Sequence, residues 1–126
     1  NSSFEWINKV VLGSINNTSG NNSGYGNYTS LSTNLTAGSS YTTNLTPGFA
    51  SSAYLEYWRV WIDYNNDLDW NDAGEQVVAQ PVGERGTAGG VKLAAPMRRL
   101  IRPSPSLACS IRPHSQALLS SIRLPP

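Results

Sequence analysis

Residues 1–80 predict an all-β fold, an antiparallel β-sandwich of jelly-roll or immunoglobulin-like type, and three observations lead there. Apolar and polar residues alternate over short runs. Stretches rich in Gly, Asn, Ser and Pro separate these runs. No 3.6-residue periodicity interrupts them, so strands joined by turns account for the pattern better than helices.

Taken in order, residues 4–12 (FEWINKVVL) read as a strand. Strict alternation would bury Phe4, Trp6, Asn8 and Val10 and turn Glu5, Ile7, Lys9 and Val11 away. Residues 13–27 read as a long surface loop, because Gly, Asn and Ser supply positive φ and side-chain bonds to the backbone. Residues 28–35 and 41–45 are expected as two short strands with a turn at Ala37-Gly38-Ser39. Thr46-Pro47-Gly48 should end the second, since proline cannot donate to a ladder.

The longest alternation covers residues 54–63. Tyr54, Glu56, Trp58, Val60 and Ile62 share one face, with Trp58, Val60 and Ile62 expected in the core; Tyr57, Arg59 and Trp61 occupy the more solvated face. Residues 75–80 read as the returning strand.

The chain changes character near residue 80. Acids outnumber bases before that point, for a net charge of −5, whereas the remainder carries +6. Every aromatic residue lies at or before Trp70, and seven of the eight prolines at or after Pro81. The organisation expected is one β domain over 1–80, incomplete at its C-terminal end, and a basic Pro/Arg/Ser-rich tail over 81–126 that buries too little apolar surface to order itself. The chain opens on Asn1 without a leader-like segment, which reads as a fragment or a processed chain.

Several function classes are disfavoured by composition. The single cysteine, Cys109, permits no internal disulfide and no cysteine-based metal cluster. No apolar run approaches the roughly 20 residues of a membrane helix. His114 is the only histidine. Neither a Ser-His-Asp constellation, nor H-E-x-x-H, nor a phosphate-cradling glycine loop is present, and Gly24-Tyr25-Gly26 reads as a turn. No catalytic residue is assigned, and the chain is not expected to be an enzyme. The basic tail has no interleaved aromatics, so it licenses nonspecific attraction to polyanions and no specific nucleic-acid partner. Asn-x-Ser/Thr sequons begin at Asn1, Asn16, Asn17, Asn21, Asn27, Asn34 and Asn44, in keeping with an Asn/Ser/Thr-rich composition.

The chemistry concentrates after residue 62. Asp63, Asn65, Asp67 and Asp69 alternate, and Asp72 and Glu75 follow. Carboxylates this close repel one another unless a cation sits among them. Calcium takes six to eight oxygen ligands, and a D-x-[DN]-x-D loop supplies them at alternate positions. Asp63, Asn65 and Asp67 would fill the first three places, the Asp69 carbonyl the fourth, and Asp72 or Glu75 would close the shell. Leu68 stands where such loops carry glycine. Magnesium suits the loop less, because it prefers fewer protein ligands. A solvated acidic hairpin that binds nothing specific is the competing account. Tyr57, Arg59 and Trp61 form a second candidate surface: either an aromatic platform for sugar rings or a face covered by further strands.

With strand and loop together, EYWRVWIDYNNDLDWNDAGEQV, preceded by SINNTSGNNSGYGNYTSLSTNLTAGSSYTTNLTPGF, resembles the GEVED domain of bacterial secreted proteins. The resemblance covers about residues 4–78. It implies a secreted or cell-surface β-sandwich accessory module without catalytic residues, a spacer or adhesion element beside other domains of a larger protein. An alternative is a substrate- or polysaccharide-binding fragment of a secreted hydrolase such as a peptidase. Beyond Pro81 the terminal strand of that family is not recognisable, and the tail reads as frameshifted or fused sequence.

Overall fold

The computed structural model describes residues 3–36, 39–53, 56–63, 67 and 69–81, and beyond them the backbone of three further strands. Among the described residues there is no helix, and none long and apolar enough to cross a membrane. The strands are β1 (Glu5–Leu12), β2 (Ile15–Thr18), β3 (Tyr25–Tyr28), β4 (Ser40–Phe49), β5 (Tyr57–Asp63), β6 (Gln76–Pro81), β7 (Gly89–Ala94), β8 (Ser106–Arg112) and β9 (Leu118–Arg123). They form a four-stranded sheet in the order β2-β1-β4-β7 and a five-stranded sheet in the order β3-β9-β8-β5-β6. Pairing is antiparallel throughout except between β3 and β9, which run parallel. The sheets are small, and neither closes on itself.

Strict alternation assigns the wrong buried face to β1. Its buried residues are Glu5, Ile7, Val10 and Leu12, whereas Phe4 is 71% exposed and Trp6 and Asn8 are half-buried. The register against β4 slips between Ile7 and Lys9. A bulge inserts one residue and reverses the parity of everything on its far side. Val10 and Leu12 point inward together with Ile7 and Glu5, a set that no unbroken period-2 reading produces.

β2 lies inside the expected surface loop. Gly13 and Ser14 connect it to β1 as a two-residue hairpin, with Leu12 opposite Ile15. Gly13 has φ +56, the left-handed backbone that the first position of such a turn demands. Its lack of a side chain also admits Thr33, whose Oγ1 accepts from the Ser14 backbone N–H at 2.9 Å. β3 likewise comes from the expected loop.

The strand expected over 28–35 does not form; Tyr28 ends β3, and the chain turns at Thr29 and Ser30. Asn27 Oδ1 accepts from the Thr29 N–H at 3.1 Å and Leu31 N–H donates to the Tyr28 carbonyl at 2.9 Å, so local bonds replace a ladder.

β4 also departs from expectation by running through Pro47 and Gly48 to Phe49. Among the described residues β7 pairs with β4 only between Ser40 and Leu45, and Pro47 stands opposite Ile7 of β1, beside the bulge.

β5 buries Trp58, Val60 and Ile62, in the phase the sequence predicts. These join Ile7, Val10, Leu12, Ile15 and Leu45 from the other sheet and Val78 from β6 in one core. β7, β8 and β9 lie in the basic stretch after Pro81: β7 pairs with β4, β8 with β5, and β9 with β8 and β3. Cys109 lies on β8, in register with Val60; His114 lies outside the described residues.

Candidate metal centre

β5 and β6 form a long antiparallel hairpin, and the acidic segment is its connection. Asp63 is the last residue of β5, and Glu75 directly precedes β6. The Ile62 N–H donates to the Glu75 carbonyl at 2.8 Å, which pinches the loop shut at its base. Gly74, at φ +94, supplies the left-handed residue that swings the chain back toward β6.

Within the loop, short side chains fold onto their own backbone. Asp67 Oδ1 accepts from the Asp69 N–H at 3.1 Å, and Asp69 Oδ1 accepts from the Asn71 N–H at 2.8 Å. Asp72 bonds to Glu75 twice: its carbonyl accepts from the Glu75 N–H at 3.1 Å, and its own N–H donates to Glu75 Oε2 at 3.4 Å. These bonds fix the chain path and turn Glu75 inward.

The outcome is a three-carboxylate cluster. One oxygen each from Asp63, Asp67 and Glu75 lies within 4.8 Å of the others. Asp63 and Glu75 are buried, at 0% and 2% exposure, while Asp67 is exposed. Oxygens on opposite sides of one calcium ion stand about 5 Å apart, given ligand distances near 2.3–2.6 Å. Three oxygens within 4.8 Å therefore fit around a single ion of that size. The donors are all hard oxygens, which suits calcium, magnesium or manganese and disfavours zinc or copper.

Of the sequence candidates, Asp63, Asp67 and Glu75 come together. Asp69 and Asp72 are exposed, and the bonds described engage the Asp69 carboxylate and the Asp72 backbone with the loop itself. Asn65 and Leu68 lie outside the described residues. Tyr57 and Arg59 are exposed, at 52% for the tyrosine, and Trp61 is half-buried, all on the outward phase of β5.

A pair that spacing did not reveal is Glu5 with Glu56, both buried in the interior. Glu56 carried a signal, since it shares a phase with Trp58, Val60 and Ile62. Glu5 carried none, because the β1 bulge hides its phase. No family model, curated protein or solved structure matches the chain.

Proposed function

We propose that this chain is a non-catalytic β-sandwich module of a larger secreted or cell-surface protein, with a calcium ion held by the β5–β6 loop. The observation that supports it best is the convergence of Asp63, Asp67 and Glu75 oxygens within 4.8 Å at the base of a pinched hairpin. Two of the three carboxylates are buried, and burying like charges together is costly unless a cation or polar partners compensate. Calcium supplies that compensation and stiffens the hairpin. The sandwich reading rests on one core that draws side chains from both sheets.

The likeness of the strand and loop to the GEVED domain supports reading the module as an accessory element, a spacer or adhesion unit whose partners are other domains of the same protein. A second reading draws on the exposed Tyr57 and Arg59: the outward face of β5 binds polysaccharide on behalf of a neighbouring hydrolase domain.

Isothermal titration of the full chain with calcium, beside Asp67→Ala, tests the metal reading. Saturable heat in the parent that the variant lacks supports it. Equal heats from both remove it.

A further inference from the structure

We propose that Asn27 and Asn34 are acceptor sites for N-linked sugar, an inference that rests on reading the chain as secreted or cell-surface. Seven of the nine asparagines in residues 1–46 begin an Asn-x-Ser/Thr sequon. Serine and threonine fill 16 of those 46 positions, so chance placement would give about three such sequons. Composition therefore accounts for fewer than half of them.

Three of the seven share one construction. In Asn27-Tyr28-Thr29, Asn34-Leu35-Thr36 and Asn44-Leu45-Thr46 the middle residue is an anchor: Leu45 lies in the core, and Tyr28 and Leu35 pack against it. An inward middle residue turns its two neighbours outward together. Asn27, Thr29, Asn34 and Thr36 are exposed accordingly. Asn44 is exposed too, but its Thr46 is half-buried, and β4 holds it between β1 and β7. That leaves the first two as open acceptors.

At Asn27 the carboxamide is also oriented. Its Oδ1 accepts from the Thr29 N–H at 3.1 Å, which leaves the Nδ2 end to solvent. Asn27 belongs to β3, the end strand in the order of its sheet, and Asn34 lies outside the strands, between β3 and β4.

The reaction is a glycosyl transfer. Asn Nδ2 attacks the anomeric carbon of a sugar activated as a glycosyl diphosphate, the bond from that carbon to the diphosphate oxygen breaks, and the diphosphate leaves with the electron pair. The amide proton passes to a base of the transferase, and nothing is oxidised or reduced. The hydroxyl two residues along is the second feature that such transferases read. A polyprenyl diphosphate or a nucleoside diphosphate can carry the sugar.

The surrounding sequence gives the modification a physical role. Residues 10–55 contain no Asp, Glu, Lys, Arg or His. Charged residues make up about a quarter to a third of a well-solvated surface, and N-linked sugar supplies bulk and hydration where they are missing.

The test is mass spectrometry of chymotryptic peptides from the chain isolated from the cells that make it, with the compartment of recovery recorded. Sugar on Asn27 and Asn34 is the expected result. An oligosaccharide there identifies the polyprenyl donor and a single hexose the nucleoside diphosphate donor, and either supports the sites. Bare Asn27 and Asn34 in chain recovered outside the cell overturn the acceptor sites and leave secretion standing. Sugar on both in chain retained inside the cell keeps the sites and removes secretion, whereas bare asparagines inside the cell overturn both. Expressed in the same cells, Thr36→Ser should keep the sugar on Asn34, and Thr36→Ala should lower its occupancy by about tenfold or more. Equal occupancy in these two variants would mean attachment without regard to the sequon, and overturns the site at Asn34.

Discussion

Trp6 stands directly opposite Gly48 across the β1–β4 ladder, and its indole occupies the space that a Cβ at Gly48 would need. The half-buried ring lies over bare backbone, so glycine is required here by a neighbour's bulk and not by its own φ. Gly48→Ala should lower stability by about 1–3 kcal/mol, the usual cost of forcing an extra carbon into a packed site. Urea unfolding of Gly48→Ala, Trp6→Ala and the double variant checks this. The loss at Gly48 should largely vanish once the indole is gone.

Protonation of Glu56 makes a pH prediction whose sign is fixed by the direction of its shift. Burial first, and then the negative charge of Glu5, push the folded value up to about 8, above the ordinary 4.5, so the folded state holds the proton more tightly than the unfolded chain. The associated stability is complete below pH 4.5 and is lost as the pH climbs through 8. In chelator-containing buffer, stability should decline across that window by an amount on the order of a few kcal/mol, and Glu56→Gln should flatten the decline. Denaturant midpoints from pH 5 to 9 provide the comparison.

Thr33 anchors the β1–β2 hairpin from a distance. It is 4% exposed, and its Oγ1 accepts from the Ser14 N–H at 2.9 Å and lies 3.1 Å from Ser14 Oγ. Thr33→Val keeps the shape and removes the acceptor, which strands a partly buried donor at a cost of about 1–3 kcal/mol. Thr42→Val, at an exposed position of β4, should change stability by less than about 0.5 kcal/mol. The contrast between these variants in thermal unfolding is the measurement.

Calcium should stabilise the parent chain through mass action. At a hundredfold excess over the dissociation constant, one site contributes about 2.7 kcal/mol. Thermal scans with calcium and with chelator should differ in the parent, and Asp63→Asn should shrink that difference by removing a buried ligand of the loop.

Depletion of the chain from solution by insoluble polysaccharide examines the outward face of β5. If this face stacks on sugars, Trp61→Ala and Tyr57→Ala should each weaken retention several-fold, since aromatic contacts dominate such surfaces. Equal retention of parent and variants would assign the face to packing alone.

The parts of this fold legible in the sequence are those where a period runs unbroken. Trp58, Val60 and Ile62 alternate without interruption, and their burial follows directly. The spacing of Asp63 and Asp67 singled out two members of the acidic cluster. Choosing Glu75 over Asp72 as the third required the backbone bonds that turn one inward and leave the other exposed.

β1 defeated the same logic because one inserted residue inverted its phase. β2 and β3 were hidden in Asn/Gly/Ser-rich sequence, although Gly13-Ser14 between apolar Leu12 and Ile15 was a readable hairpin signal. The backbone of β7 to β9 finds its partners far along the chain, β8 against β5 and β9 against β3, and local alternation carries no trace of such pairings.

The bulge between Ile7 and Lys9 has a chemical as well as a geometric result. It is the device that turns a carboxylate inward and an indole outward at the start of β1. Removing Asn8 would put Glu5, Ile7, Val10 and Leu12 into one unbroken alternation and leave Glu5 inside, whereas pairing all eight residues of β1 in a continuous pleat would put Trp6 there instead. The bulge thus absorbs one residue and makes this end of the molecule ionic inside where it would otherwise be greasy.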